Sequence, residues 1–411
     1  MASSPLRGTT SPSALLFALS VGVIITNIFA PQTLVGPISV SLALGPFATS
    51  LAATATLLGY ALGLFLLVPL ADLLENRALV ASMLSLASLC AIVASLASNP
   101  VLLLAALLLL GATSSAIQVL VPIAASMVPP ERRGQMIGDV MSGLMVGILL
   151  SRPLASFIAD KWSWRGFYAV SAAALILVTI FLVIKLPRRY PERGPLYPAL
   201  IASLGRLLRT ERTLRRRSLT AALTMGSFSV FWTSIGPRLT EPPFLLDQQG
   251  IAIFAVAGAG GAVATPIFGR LGDRGLTRPA LLAADLILLF SVCVAAWAGS
   301  ASPGSSLLSL CVLAMAAFAV DFGVVGDQTL GRRAINLLAP EARGRINAIF
   351  VGIFFVGGAI GSALAGPVQA LGGWPATCAL TATFGVAALL VNAMDRSFQA
   401  AGSVACAGQN P

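Results

Sequence analysis

Residues 101–127 read VLLLAALLLLGATSSAIQVLVPIAASM and contain no ionisable side chain. A helix of about 20 apolar residues crosses the hydrocarbon core of a bilayer. A surface helix of a soluble protein needs, instead, a polar face on the side that is turned to water. The stretch therefore predicts a transmembrane helix.

Segments of the same kind recur along the whole chain. Of its 411 residues, 57% are hydrophobic and 10% are charged, whereas soluble proteins carry about 25% charged residues. The apolar runs are continuous, which favours helices over the alternating strands of an outer-membrane barrel. We predict an all-α membrane protein with twelve spans, whose approximate limits are 14–36, 48–71, 78–97, 101–127, 136–159, 165–186, 219–240, 251–271, 279–299, 305–330, 344–368 and 374–394.

The distribution of cations predicts the orientation in the membrane. All but four of the 26 Lys and Arg lie at the two ends of the chain or at the even-numbered connections; the four are Arg152, Lys161, Arg165 and Arg238. The positive-inside rule then places both termini in the cytoplasm. Basic loops beside an anionic inner leaflet also explain the formal net charge of +11, so we expect membrane lipid and no nucleic acid as a partner.

The residue types present disfavour catalysis, a metal site and ATP-driven transport. The chain has no His, and its five Cys form no CxxC pair, which excludes Ser-His and Cys-His mechanisms and most zinc sites. It contains no phosphate-binding GxxxxGK[ST] loop. Asp321 and Asp327 are separated by about 240° around a helix, which argues against an intramembrane aspartyl protease. We therefore predict no enzyme activity and no cofactor.

An internal repeat divides the chain into two halves. Pro-Glu-Arg-Arg-Gly at 130–134 returns as Pro-Glu-Ala-Arg-Gly at 340–344, and the same offset of 210 residues pairs Gly147 with Gly357. Because an even number of spans separates the copies, the halves share one orientation, as in transporters built from two parallel six-helix repeats. The predicted bundles are 1–186 and 219–394.

The remaining segments are a linker and a tail. In the linker, 187–218, apolar residues recur at helical spacing among arginines. This pattern predicts a short basic amphipathic helix on the inner leaflet, which tethers the bundles or, alternatively, regulates them. The tail, 395–411, is small and polar and is expected to be a disordered cytoplasmic segment.

Two loop segments carry a family resemblance. The connection after span 8 reads Gly269-Arg-Leu-Gly-Asp273-Arg274-Gly-Leu-Thr-Arg278, and the connection after span 2 reads Val68-Pro-Leu-Ala-Asp72-Leu-Leu-Glu-Asn-Arg77. They resemble the Gly-x-x-x-Asp-Arg-x-Gly-Arg-Arg loops of the major facilitator superfamily. Over nearly its whole length the chain looks most like the twelve-helix drug:proton antiporters, near the arabinose-efflux permeases.

The resemblance implies a cytoplasmic gate and a central cavity. The gate residues that carry over are Asp72, Arg77, Asp273, Arg274 and Arg278. Because the first copy lacks the leading Gly and the Arg after Asp, its gate contacts are expected to be weaker or rearranged. The cavity in this family is lined by spans 1, 4, 7 and 10.

Ionisable residues at membrane depth are candidate functional residues because they are costly there unless they are paired or wet. Asp321, in span 10, is the candidate for proton coupling; the alternative is a structural carboxylate. Arg152, in span 5, would bind an anionic substrate group or keep Asp321 ionised; alternatively it snorkels to the outer surface. We expect Asp285 to be solvated or paired with loop cations, and Arg238 to meet water on the outer side.

Eight residues are candidates for the substrate cavity, since amides orient a ligand and aromatic rings give apolar contact. Asp327 is expected in the inner vestibule, near Gln328. Any of the uncharged ones could instead pack helices together. The eight are Asn27, Gln32, Gln118, Arg152, Phe231, Trp232, Asp327 and Gln328.

These features together predict a secondary transporter of the inner (plasma) membrane, with a monomer as the expected state. It would move a small organic molecule by alternating access, and the family resemblance implies efflux coupled to proton entry. The alternatives are a proton symporter or a uniporter for uptake of a metabolite, and a receptor-like homologue that transports nothing.

Overall fold

The computed structural model describes residues 12–190, 196–300, 306–338 and 342–395, and these parts are helical without a strand. Short 3-10 turns occur at Val68–Asp72, Pro130–Arg132 and Val256–Ala259. The helices are α1 (Pro12–Phe29), α2 (Pro31–Leu42), α3 (Pro46–Leu66), α4 (Asn76–Leu96), α5 (Pro100–Ser114), α6 (Ala116–Ser126), α7 (Arg133–Lys185), α8 (Tyr197–Thr210), α9 (Arg212–Thr240), α10 (Gln248–Ala255), α11 (Gly260–Asp273), α12 (Thr277–Gly299), α13 (Ser306–Asn336) and α14 (Arg343–Ala393).

Both of the longest helices are interrupted. The break in α7 lies at Trp162 and Ser163, where Ser163 has φ 66°, and the break in α14 lies at Gly373, where φ is 62°. Left-handed backbone of this kind cannot continue a right-handed helix. Ser163 and Gly373 are separated by the offset of the internal repeat, and the breaks fall where the sequence predicts the connections between spans 5 and 6 and between spans 11 and 12.

Length and apolar composition single out the helices that can cross a bilayer. Within the described residues eight helices qualify, or nine if α1 and α2, which are bent by 47°, form one span. α7 and α14 each count once in this number despite their breaks. α9 does not qualify, and its residues Thr224–Leu239 are largely buried against other helices. The first predicted span is too short, since α2 continues to Leu42.

The helices form two groups that follow the halves of the sequence. In the first half α1 and α4 pack on α7, and α5 packs on α3 and α4; in the second half α14 packs on α9 and α12, and α13 packs on α12. The halves meet where α3 packs on α14, α7 on α10, and α2 on α9.

Glycines bring the helices of each half into close contact. A Cβ on Gly147 of α7 would lie 2.5 Å from the carbonyl oxygen of Gly22 in α1. A Cβ on Gly357 of α14 would lie 2.0 Å from the carbonyl oxygen of Ala222 in α9. Small residues let membrane helices approach backbone to backbone. The two glycines are a repeat pair, so the same contact is built in both halves.

The linker contains a helix, α8, that touches both halves. Leu200 and Leu204 are buried, whereas Arg206 is exposed. The Tyr197 hydroxyl donates a hydrogen bond to the Leu66 carbonyl oxygen at 2.9 Å, and α8 also contacts α14. The predicted tail lies outside the described residues, except for its first residue, Asp395.

Candidate substrate and proton site

A buried ion pair joins the two halves at the centre of the molecule. Arg152 of α7 is 1% exposed and Asp321 of α13 is 4% exposed. The Nη1 atom of Arg152 lies 3.8 Å from the Oδ2 atom of Asp321. The pair therefore connects α7 of the first half to α13, a helix of the second half that lines the central cavity. Arg152 does not snorkel to the outer surface.

Both charges are held by further side chains. Arg152 Nε donates a hydrogen bond to Gln32 Oε1 at 3.0 Å, and Trp232 Nε1 donates one to Asp321 Oδ1 at 2.6 Å. The guanidinium carbon lies 4.0 Å from the centre of the Trp232 ring, a cation–π distance. The structure thus brings together four candidates from the sequence, which lie in α2, α7, α9 and α13.

Gly258 leaves room for this cluster. It lies in the 3-10 turn between α10 and α11. A Cβ at this position would lie 2.8 Å from Arg152 Nη1 and 3.1 Å from Asp321 Oδ2. Any larger residue would therefore push on the ion pair. The sequence shows Gly258 only as part of a glycine-rich stretch, a pattern that also fits ordinary helix packing.

The ion pair borders a small central cavity between the halves. Its volume is about 90 Å³. Asp321, Gln118 and Gln328 line it, together with Tyr60 and Arg332, which the sequence does not single out as cavity residues. The other lining residues are apolar, with Phe29, Phe228, Phe354 and Phe355 among them.

Wider cavities lie toward both ends of the molecule. One lies at the odd-numbered connections and is called the outer cavity after the predicted orientation; it measures about 370 Å³, and its lining includes Thr33 and Gln248. The other lies at the basic connections and is called the inner cavity on the same basis; it measures about 440 Å³, and its lining includes Gln118 and Asn347. Asn347 donates a hydrogen bond across the halves to Gln118 Oε1 at 3.3 Å. The central cavity therefore lies between these two wider cavities.

Six of the eight predicted cavity residues do not line the central cavity in this conformation. Gln32, Arg152 and Trp232 belong to the cluster beside it, and the other three pack within one half. Asn27 accepts a hydrogen bond from Ser171 at 2.6 Å and packs α1 on α7. Phe231 packs against Trp374, with ring centres 5.9 Å apart. Asp327 is completely buried among helices of the second half.

Asp327 belongs to a second polar cluster, which lies within the second half. The amide nitrogen of Asn392 donates to Asp327 Oδ1 at 3.1 Å and to Asp285 Oδ2 at 2.7 Å. Arg217 donates to Asn392 Oδ1 at 2.9 Å and pairs with Asp395. The cluster ties together α9, α12, α13 and the end of α14.

Three charged residues differ in their surroundings from the sequence expectation. Asp285 is buried and bonded to Asn392, not solvated. Arg217, which the sequence assigns to the linker, is 1% exposed because α9 begins at Arg212. Arg238 does not meet open water, since it is buried and donates to the Gly299 carbonyl oxygen at 2.8 Å.

The two predicted gate loops differ from one another. Asp273 pairs with Arg333 of α13, in the same half, and not with Arg274. Arg278 donates instead to the Ala393 carbonyl oxygen at 3.3 Å. In this conformation the ion pair of Asp273 therefore lies within the second half.

The first gate loop, at Asp72 and Arg77, makes fewer side-chain contacts. Asp72 is exposed and lines the inner cavity. In the described parts of the chain neither Asp72 nor Arg77 forms an ion pair. Glu75 caps α4 by accepting from the backbone N–H of Arg77 at 2.9 Å. The first gate loop, whose motif is incomplete, thus has no ion pair like the one that Asp273 forms in the second gate loop.

Known proteins resemble the chain in sequence and in fold. The family model of the major facilitator superfamily matches residues 13–326. The chain belongs to the major facilitator superfamily. It is 32% identical over 376 residues to the uncharacterized transporter YgaY of Escherichia coli O157:H7, covering 92% of this chain and 93% of that protein. The protein is accordingly a multi-pass membrane transporter of this superfamily and not an enzyme.

Solved structures share the fold. The nucleoside transporter NupG superposes with a TM-score of 0.71 at 14% identity, over 92% of this chain and 99% of that one. The peptide transporter POT superposes with a TM-score of 0.72 at 16% identity, over 95% of each chain. At these identities the likeness concerns the fold alone.

Proposed function

We propose that this transporter exports a small organic molecule in exchange for protons, with Asp321 as the proton-carrying residue. The supporting observation is the ion pair between Arg152 and Asp321, which is buried, has one partner in each half and includes Asp321, a residue of the central cavity wall. Transporters of this type alternate by rocking one half against the other around a central site. A pair that spans the halves is therefore made and broken in each cycle.

Separation of the pair changes what the carboxylate binds. An ionised carboxylate in an apolar cavity is costly once its counter-charge is removed. Asp321 then takes up a proton from the side to which the cavity is open. When the halves return and Arg152 approaches again, the guanidinium favours the ionised form, and the proton leaves. Trp232 holds Oδ1, which leaves Oδ2 directed at Arg152.

The proposed topology has twelve spans with both termini in the cytoplasm of a bacterial cell, in a monomer of the inner membrane. The two breaks in α7 and α14 and the bent pair α1 and α2 support this number, and α9 is counted as a span because it packs along α14. In a cysteine-free background, Asn99→Cys should react with an impermeant thiol reagent on intact cells. Gly205→Cys should react only after permeabilisation. The reverse pattern would contradict the orientation.

Proton-coupled flux in reconstituted vesicles tests the function. Dyes, antibiotics, sugars and amino acids would be added under an imposed pH gradient, to wild-type protein and to Asp321→Asn. We expect at least one compound to dissipate the gradient with the wild type and not with the variant. Movement of the compound along with the protons would indicate a symporter, and movement without protons a uniporter. Either result would overturn proton-coupled efflux.

A further inference from the structure

We propose that the central cavity selects amphipathic organic anions and that Arg332 receives their charged group, an inference that rests on the proposed transport function. The first observation is the charge of the cavity wall. Arg152 neutralises Asp321 in place, whereas Arg332 lines the cavity and forms no hydrogen bond or ion pair in the described chain. Its neighbour Arg333 is paired with Asp273.

Arg152 does not line the cavity but offsets the charge of Asp321 from beside it, so Arg332 makes the net charge around the cavity positive. An unpaired charge removed from bulk water is costly, so a half-buried arginine without a partner favours the binding of an anion. A guanidinium also binds carboxylates with two parallel hydrogen bonds. Gln118, Gln328 and the hydroxyl of Tyr60 line the same cavity and supply additional polar contacts.

The second observation concerns the space beside Arg332. A lateral groove of about 470 Å³ runs between α7, α11 and α13. It shares Met145, Ala262, Gln328 and Arg332 with the central cavity. Arg332 thus lies where the two spaces join. A ligand of greater volume than the central cavity can place its charge at Arg332 and extend its apolar part along either space.

The remaining walls suit such an apolar part. The central cavity presents aromatic rings of both halves, among them Phe29 and Phe355. The lateral groove is bordered by Met141, Val146 and Pro266. A small polar anion would leave these surfaces without contact, and a neutral apolar compound would leave Arg332 without a partner. An amphipathic anion satisfies both.

Binding of three matched ligands to the purified protein in lipid nanodiscs tests this proposal. The ligands are phenylbutyrate, phenylbutanol and phenylbutylammonium, which share one apolar body and differ in charge. By calorimetry, we expect the wild type to bind the anion at least about tenfold more tightly than the alcohol, which corresponds to about 1.4 kcal/mol. The ammonium compound should bind most weakly.

Variants separate the role of Arg332 from general damage. Arg332→Gln should reduce the affinity for phenylbutyrate to the affinity for phenylbutanol. The affinity for phenylbutanol should stay unchanged, which would show that the cavity is intact. Arg332→Lys should retain part of the preference. Arg206→Gln, which removes an equal charge from an exposed site on α8, should retain all of it. Three results would overturn the proposal: the wild type binds the three ligands equally or prefers the cation, the wild type does not bind the anion, or Arg332→Gln keeps the full preference for the anion.

The outcome can be told apart from failure of the proposed function. Asp321→Asn should abolish proton coupling but keep the preference for the anion, because Arg332 is unchanged. Proton-coupled export of neutral or cationic compounds alone would retain the function and overturn the anion site. Binding of the anion without proton coupling in the wild type would retain the anion site and overturn the function.

Discussion

Asp321 and Asp327 lie six residues apart on α13, and both are buried. Asp321 is paired with Arg152 of the first half, whereas Asp327 shares Asn392 with Asp285 inside the second half. One carboxylate therefore connects the two halves, which the proposed mechanism moves relative to each other, and the other connects helices within one half. Burial alone does not distinguish the two carboxylates as candidates for proton coupling, whereas the positions of their partners do.

The largest effect on stability is expected for Arg152→Gln. The substitution leaves Asp321 buried without its counter-charge, and loss of one partner of a buried pair costs about 3–5 kcal/mol. A proton on Asp321 relieves this cost. The stability of the variant, measured by thermal unfolding in detergent, should therefore be higher at acidic pH and be lost as the pH rises. The double variant Arg152→Gln with Asp321→Asn should not show this pH dependence. The same dependence in the double variant would contradict the pairing.

A smaller loss of stability without loss of coupling is expected for Asn392→Leu. This change removes the shared donor of Asp285 and Asp327, and a buried acceptor left without its partner costs about 1–3 kcal/mol. The melting temperature should fall, while proton-coupled flux per folded molecule stays near the wild-type value. If the variant kept normal stability but lost proton coupling, the cluster would take part in the transport mechanism. Asp327 and Asp321 would then not differ in role.

Gly258→Ala tests the space around the ion pair. Its new Cβ would lie 2.8 Å from Arg152 Nη1 and 3.1 Å from Asp321 Oδ2, so the geometry of the ion pair must change. We expect flux to fall several-fold, roughly the effect of a 1 kcal/mol change, with little change in melting temperature. Gly205→Ala, at an open position of α8, is the control. Equal flux in the two variants would show that the space between Gly258 and the ion pair is not as tight as described.

The smallest effect is expected at the exposed gate pair. Arg333→Gln removes the partner of Asp273, and both side chains are solvent-accessible, so the pair contributes about 0–1 kcal/mol. The free energy of unfolding should change by no more than this amount, and the difference between variant and wild type should become smaller at high salt. A loss of several kcal/mol would show that the second gate loop is a structural element comparable to the buried clusters.

Much of the fold could be predicted from the sequence because it depends on local properties. Long apolar runs must form helices in a bilayer, since lipid offers the backbone no hydrogen bonds. The all-helical membrane fold and the superfamily are confirmed. The repeat offset also relates Ser163 to Gly373 and Gly147 to Gly357, and in the structure these pairs occupy corresponding breaks and contacts.

The site could be predicted only in part because side-chain partners are set by packing between distant segments. Helical geometry shows that Asp321 and Asp327 face different directions, but not which of them faces the cavity. Tyr60 and Asn392 are ordinary residues in sequence and acquire their roles from helices far along the chain. The sequence assigns Arg217 to the linker because the start of α9 is as basic as the linker. Only the structure shows that Arg217 contacts α14, where it donates to Asn392.

The most direct test compares Asp321→Asn with Asp327→Asn, the same substitution six residues apart. In vesicles, exchange of labelled for unlabelled substrate without a gradient needs only the rocking of the halves, whereas net transport against a pH gradient also needs a proton-carrying residue. We predict that Asp321→Asn keeps exchange and loses net transport by more than about tenfold, and that Asp327→Asn keeps both in the protein that folds. Net transport by Asp321→Asn at the wild-type rate would contradict the assignment of proton coupling to Asp321.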